Sequence, residues 1–170
     1  MELNLKEKYG STKGINSIFW GPKNWDVLFT SVMGAYPFEI NKKSKEHQMI
    51  KKSFKSTLLA LEYTMPCIYC RKSFKIFIKE LPIKKYLDSR LSLMYWLYQI
   101  KEKVNEKLRE QEQICFQREL KETKHKITKK EYNELHQKIF YTKPSPSFQE
   151  VLDKYELLRS SCDKVALTCR

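Results

Sequence analysis

Apolar residues recur every three or four positions along most of the chain, which is the spacing of an amphipathic helix. The first such stripe follows Trp20-Gly21-Pro22, where a proline at the start of a helix loses no hydrogen bond, and Pro37 ends it. The second runs from about Lys45 to Met65, and Pro66 interrupts it. The apolar positions of the two stripes are Trp25, Leu28, Phe29, Val32 and Tyr36, then Ile50, Phe54, Leu58, Leu61 and Met65. The pattern predicts two helices separated by a turn.

Two more helices are predicted between Pro66 and residue 108. The third opens at Cys67 and ends before Pro82. Asp88 or Ser89 caps the fourth, since short side chains with an oxygen bind the first N–H groups of a helix. The third carries Cys70, Phe74, Phe77 and Ile78 on one face, and the fourth carries Leu93, Leu97, Ile100, Val104 and Leu108. Four amphipathic helices of this kind can form a bundle.

The rest of the chain combines a charged segment with two further helices. Residues 109–126 are highly charged, and we expect them to continue the fourth helix into solvent as an insertion. Thr128 with Glu131, and Ser147 with Glu150, have the form of capping boxes that each open a helix. No segment shows the sustained alternation of a strand. The predicted fold is therefore all-α, a four-helix bundle with additional C-terminal helices.

These boundaries predict three parts. Residues 1–18 form a leader, and residues 19–141 form the helical bundle, with the charged insertion at 109–126. Residues 142–170 hold a linker, a C-terminal helix and a tail that carries cysteines.

Composition favours one globular domain with an appendage over two domains. The chain has 170 residues, 41% of them hydrophobic, and a net charge of +13 from lysines spread along its length. A nucleic-acid or acidic partner would explain this charge, but no compact basic run with interleaved aromatic residues occurs. We therefore favour a solvated surface, which would also help to hold an anionic dinucleotide. No apolar stretch is long enough to cross a bilayer, and residues 1–14 are too charged for a signal peptide. We expect no membrane contact and a cytoplasmic protein.

Two of the five cysteines form Cys67-Ile68-Tyr69-Cys70. Cysteines three apart on the first turn of a helix lie close enough to bridge, and the helix N-terminus favours a thiolate. Arg71 and Lys72 add positive charge. This pattern is typical of a redox dithiol. The alternative is half of a zinc site, but zinc takes four ligands, and no second cysteine pair has zinc-ribbon spacing. We expect no metal.

A set of motifs surrounds the cysteine pair. In order, they are Trp20-Gly21-Pro22-Lys23-Asn24-Trp25-Asp26-Val27-Leu28, Tyr36-Pro37, Pro66-Cys67-Ile68-Tyr69-Cys70 with Phe74, Asp88-Ser89-Arg90, Trp96-Leu97, and Val104-Asn105-Glu106-Lys107-Leu108. The set resembles the Erv/ALR family of sulfhydryl oxidases over roughly residues 19–108, with a weaker echo at 127–132. The compact, lysine-rich chain looks most like the oxidases encoded by large cytoplasmic DNA viruses.

The resemblance implies a bundle that holds FAD beside the cysteine pair. Such an oxidase forms disulfides in protein dithiol substrates and passes the electrons to molecular oxygen, which gives hydrogen peroxide. It implies that Cys70 faces the flavin and that Cys67 exchanges with the substrate. The positions matching the family's cofactor contacts are Gly21, Trp25, Lys101, Val104, Asn105, Lys107 and Tyr132. Family members are often homodimers, and a viral member would act in the host cytoplasm or the virion.

Two positions depart from the family pattern. The family usually has His-Asn where this chain has Lys101-Glu102, and it often has His at the position of Phe29. If these changes abolish FAD binding, the alternative is a non-enzymatic basic helical binding module on a degenerate oxidase scaffold.

Several candidate residues have a second interpretation. Trp25 could be an ordinary core aromatic, and Lys107 could be a surface lysine. Cys162 and Cys169 either form a shuttle dithiol, which carries electrons from the substrate to the central pair, or are incidental tail cysteines.

Overall fold

The computed structural model describes residues 14–123, 126–140 and 142–158. In these residues the chain forms six α-helices: α1 (Ser17–Ala35), α2 (Lys45–Thr64), α3 (Ile68–Glu80), α4 (Arg90–Glu122), α5 (Lys129–Ile139) and α6 (Phe148–Glu156). A short 3₁₀ helix, Ile83–Tyr86, lies between α3 and α4. Over the same ranges, β-type pairing is limited to one bridge between Glu39 and Ser89. The predicted all-α fold is confirmed.

Helix α1 begins earlier than predicted. Asn16 is its N-cap, and its side chain accepts the N–H of Ile18 at 3.0 Å. Pro22 consequently lies inside the helix, so its predicted place at the opening of α1 is wrong. Ile18 and Phe19 are both exposed, which explains why the apolar stripe did not reveal the first turn. Ser17 and Ile18, which we assigned to the leader, are helical.

The predicted starts of the second and fourth helices agree with the structure. Ser44 caps α2 by accepting the N–H of His47. At α4 the cap is Ser89, whose hydroxyl accepts the N–H of Ser92 at 3.1 Å. Asp88, the other candidate cap, instead pairs with Lys51 at 2.7 Å. This ion pair joins the start of α4 to α2.

The chain divides into two compact units. The first contains the described residues up to Ile100 together with those from Phe148 onward, and the second contains those between Lys101 and Ser147. The core of the first unit draws on α1, α2, α3, the first part of α4, and α6. Its largest fully buried side chains are Trp96, Tyr36, Phe29, Leu58, Leu93, Met94, Leu97, Ile100 and Val32. This set includes three of the five predicted stripe residues of the first helix, three of the five of the fourth helix, and Leu58 of the second.

Two buried polar groups in this core have backbone partners. The indole N–H of Trp96 donates to the carbonyl of Leu81 at 2.8 Å. The hydroxyl of Tyr36 donates to the carbonyl of Leu87 at 2.6 Å. Burial, aided by the negative charge of Asp88, raises the pKa of Tyr36 to about 12. Trp96 is therefore a core aromatic residue whose one polar group is satisfied within the protein.

Helix α6 packs against α1 in the first unit. The ring of Tyr155 stacks on that of Phe29 with 5.1 Å between centroids, and its hydroxyl donates to the carboxylate of Asp26 at 2.7 Å. Lys154 also binds this carboxylate at 2.7 Å. The C-terminal helix is thus part of the first unit rather than an appendage.

In the second unit, the charged segment 109–126 is less exposed than predicted. Helix α4 does continue through it, but not simply into solvent, since Phe116 and Glu112 are buried. The Thr128 capping box is present as predicted and opens α5. Helix α5 places Tyr132 5.2 Å from Phe116, ring to ring. The Glu112 carboxylate accepts the backbone N–H of Thr142 at 2.9 Å, as well as its hydroxyl. These contacts bury one face of the extended helix.

Candidate active site

Cys67 and Cys70 lie at the start of α3. Cys67 is the N-cap, with an extended backbone, and its sulfur accepts the N–H of Cys70 at 3.3 Å. Cys70 falls in the first turn, as the spacing predicted. Both side chains are half-buried, and both are thiols in this structure. Pro66 directly precedes the pair and helps to end α2, because a proline restricts the residue before it to extended backbone. We call residues 65–67 the redox turn.

The surroundings of Cys67 favour its ionised form. Burial alone would raise the pKa of this thiol. Hydrogen bonds from the Cys70 side chain and from the backbone N–H groups of Cys70 and Tyr69, together with the charge of Arg71, outweigh burial and lower the pKa below its usual value. A thiol with a lowered pKa is both a more available nucleophile and a better leaving group. The preference for a thiolate that the helix N-terminus predicts is thus present at Cys67.

Arg71 also fixes the shape of the redox turn. Its guanidinium donates to the carbonyl of Met65 at 2.6 Å, which ties the first turn of α3 back to the end of α2. The neighbouring Lys72 is exposed. Of the two predicted cations, Arg71 therefore has the structural contact and the direct influence on Cys67.

The residues just before α1 lie against the redox turn, which sequence reasoning missed. Ile15 donates its N–H to the carbonyl of Pro66 at 3.3 Å. Its own carbonyl accepts the indole N–H of Trp20 at 3.1 Å. Gly14 has a φ of +81°, a conformation that favours glycine. A glycine two residues before a capping asparagine was the available signal, but it does not say what the segment contacts.

A cavity of about 410 Å³ lies beside the redox turn. Its lining residues are Phe19, Trp20, Lys23, Asn24, Val27, Leu61, Thr64, Met65 and Pro66. It is therefore formed by one face of α1 and the end of α2.

The amino-acid sequence matches one known protein family. The sequence model of the Erv1/Alr family matches residues 22–133, well over half of the chain. The chain belongs to the Erv1/Alr family. This is a family of sulfhydryl oxidases whose members generally bind FAD. No curated protein matches the chain.

Three positions of the Erv1/Alr pattern, Gly21, Trp25 and Phe29, lie in the first unit, and each has different surroundings. Trp25 is half-buried, packs against the core, and lies 6.2 Å from Phe29, ring to ring. Phe29, which replaces the family's frequent histidine, is fully buried beneath Tyr155. A Cβ on Gly21 would meet no atom within 4 Å, so packing does not require glycine there. The interpretation of Trp25 and Gly21 as cofactor contacts stays a prediction.

The remaining Erv1/Alr positions belong to the second unit. Lys101, Val104 and Lys107 are half-buried on α4. Asn105 donates to the hydroxyl of Ser145 at 2.8 Å and to the carboxylate of Glu102 at 3.3 Å. Its amide thus has the protein partners that a partly buried amide needs.

Tyr132 belongs to an aromatic cluster in that unit, with Phe116, His136 and Phe140. Its ring is 41% exposed. Cofactor contact by the five second-unit residues therefore stays a prediction. Cys162 and Cys169 lie outside the described residues.

The described ranges contain neither a cluster of metal ligands nor a membrane-spanning helix. There, no three His, Cys, Asp or Glu side chains come together as they would around a metal ion. None of the helices in the same ranges combines the length and the apolar character needed to cross a membrane.

Proposed function

We propose that this chain is an FAD-dependent thiol oxidase that forms disulfides in protein substrates through Cys67 and Cys70. The observation that carries the proposal is the Cys67 thiol at the N-cap of α3, with its lowered pKa and the N–H of Cys70 directed at its sulfur. Membership of a family of sulfhydryl oxidases supports it.

The chemistry of the cysteine pair is thiol–disulfide exchange. In the oxidised pair, a substrate thiolate attacks Cys67 and forms a mixed disulfide, and Cys70 leaves as a thiolate. A second substrate thiolate then attacks the substrate sulfur of that mixed disulfide, and Cys67 leaves as a thiolate. The substrate gains one disulfide, and the pair becomes a dithiol. The interactions that stabilise the Cys67 thiolate favour the second step, because a thiol of lower pKa leaves faster.

The first unit has groups suited to a flavin. Trp25 has a half-buried aromatic ring. The side-chain oxygen of Gln99 is buried and has no hydrogen-bond partner among the described residues. Because a buried amide oxygen is normally hydrogen-bonded, a ring N–H of a ligand would suit it. Bound FAD would accept two electrons from the dithiol and pass them to molecular oxygen, which gives hydrogen peroxide.

The proposal extends to the residues that would hold the cofactor and to the partners. The residues proposed to contact FAD are those that the resemblance implies: Gly21, Trp25, Lys101, Val104, Asn105, Lys107 and Tyr132. The partners would be protein dithiols, molecular oxygen and a second copy of the chain, in the cytoplasm.

Oxygen consumption with a small dithiol tests this function. The full chain, loaded with FAD, should consume oxygen with dithiothreitol and produce hydrogen peroxide. Cys67→Ser and Cys70→Ser should each abolish turnover. Cys115→Ser is the matched control, since Cys115 lies in the second unit and should be dispensable. Equal rates in all four proteins would overturn the assignment of the redox pair.

A further inference from the structure

The close approach of Gly14 to the redox turn leaves no room for a side chain. A Cβ on Gly14 would lie 2.2 Å from the carbonyl oxygen of Pro66 and 3.5 Å from the Cα of Cys67. The φ of +81° independently disfavours any other residue. Glycine therefore allows residues 14–16 to run directly beside Cys67.

The adjoining residue is held from both sides. The N–H of Ile15 binds the redox turn, and its carbonyl binds Trp20 of α1. With its backbone polar groups engaged, Ile15 presents a side chain that is 57% exposed. The segment thus adds an ordered apolar group to the edge of the site.

Further exposed apolar side chains lie around the redox turn. Phe19, which lines the cavity with Pro66, is 67% exposed, and the ammonium group of Lys23 lies 4.3 Å from its ring centroid. Ile68 and Tyr69, between the two cysteines, are 44% and 75% exposed. We call Ile15, Phe19, Ile68 and Tyr69 the apolar rim. Grouped apolar side chains at a surface commonly mark an interaction site.

The mixed disulfide determines what must lie on this rim. The Cα atoms of two bridged cysteines are about 4.4–6.8 Å apart. A substrate joined to Cys67 therefore places the neighbours of its own cysteine next to the residues that surround Cys67. Cysteine, like the large apolar residues, is mostly buried in folded proteins, so a reacting cysteine and the apolar residues that flank it are accessible together before the chain has folded.

We propose that the apolar rim binds the apolar residues flanking the reacting cysteine of an incompletely folded protein substrate. Gly14 acts as a positioning residue, because it holds Ile15 at the rim. This inference rests on the proposed oxidase function and specifies its substrate class.

Two synthetic peptides with the same Cys-x-x-Cys core test the rim. One has Leu and Ile on both sides of the core, and the other has Ser and Gly. With the FAD-loaded full chain, the apolar peptide should have a KM lower by about tenfold or more, as burial of one or two apolar side chains would give.

Variants distinguish an effect on substrate binding at the apolar rim from an effect on folding. Ile15→Asp and Gly14→Ala should bring the KM ratio of the two peptides toward one, whereas Ile15→Val should keep it. Gly34→Ala is the matched glycine control, since a Cβ there meets no atom within 4 Å. Because Ile15 is exposed, Ile15→Asp keeps the test valid if Gly14→Ala fails to fold.

The outcomes distinguish failure of the oxidase function from failure of the apolar rim as a substrate-binding surface. Failure of the FAD-loaded wild-type chain to oxidise dithiothreitol would remove the oxidase function itself. Oxidation of dithiothreitol with equal KM values for the two peptides would overturn only the rim. A peptide preference that survives in both Ile15→Asp and Gly14→Ala would also overturn it.

Discussion

The backbone N–H of Cys70 donates to the sulfur of Cys67 across 3.3 Å, so one cysteine of the pair serves as the N-cap for the helix that carries the other. Helix N-caps are usually Ser, Thr, Asp or Asn, whose side-chain oxygens accept such bonds. A thiolate in this position gains both the hydrogen bond and the favourable end of the helix dipole. The same interaction therefore stabilises α3 and activates Cys67.

The reactivity of Cys67 should depend on Arg71 and not on Lys72. Arg71 lowers the pKa of Cys67 through its charge, so Arg71→Ala should shift the midpoint of Cys67 alkylation to higher pH. Lys72→Ala, which removes the same charge from the next, exposed position, should leave it nearly unchanged. The rate of iodoacetamide reaction with the reduced protein, followed against pH, measures this in a background in which Cys67 is the one remaining cysteine (Cys70, Cys115, Cys162 and Cys169 each changed to Ser). Equal shifts in both variants would mean that general surface charge determines the reactivity.

Docking of α6 should contribute substantially to the stability of the first unit. Tyr155 is 4% exposed and stacks on Phe29. Tyr155→Ala should lower the free energy of unfolding by about 3 kcal/mol, as expected for truncating a buried aromatic side chain. Leu157→Ala is the control, because Leu157 is 86% exposed. Urea denaturation followed by circular dichroism gives the free energy of unfolding of both variants. Surface substitutions usually change this free energy by less than about 0.5 kcal/mol. A loss of similar size, under about 1 kcal/mol, for Tyr155→Ala would therefore contradict the packing of α6.

Tyr36 should make the first unit sensitive to alkaline pH. Burial raises its pKa from 10.0 to about 12. The unfolded chain therefore loses this proton first, and the stability that the protonated hydroxyl contributes is lost as pH rises from 10 toward 12. Tyr36→Phe should flatten this part of the stability curve, at the expense of about 1 kcal/mol at neutral pH from the lost bond to Leu87. The pH range to compare is roughly one unit on either side of an ordinary tyrosine pKa, from about pH 9 to about pH 11. If the free energy of unfolding falls with pH as steeply in Tyr36→Phe as in the unaltered chain over this range, Tyr36 does not have this role.

The helices could be predicted because their signals are local. Pro66 separates α2 from α3 and places Cys67 at the helix start, and Thr128 with Glu131 forms the predicted capping box. The start of α1 escaped prediction because its first turn exposes its apolar residues. The predicted solvent exposure of residues 109–126 failed where Phe116 is covered by aromatic side chains from α5.

The long-range contacts of the site could not be predicted from patterns. Gly14 meets Pro66, and Phe29 meets Tyr155, across more than fifty residues of sequence in each case. No periodicity or spacing indicates such pairs. Sequence reasoning therefore placed Cys67 and Cys70 at the start of a helix but missed the segment that lies beside them.

We propose that Cys67 and Cys70 pass electrons to a flavin held by this chain. The most direct test is the absorbance of the full chain after incubation with excess FAD and removal of unbound cofactor. We predict a flavin spectrum that dithiothreitol bleaches without oxygen and that air restores, whereas Cys67→Ser and Cys70→Ser keep the flavin but resist bleaching. A colourless protein after incubation, or a bound flavin that bleaches as fast in both variants as in the unaltered chain, would contradict this role of the cysteine pair.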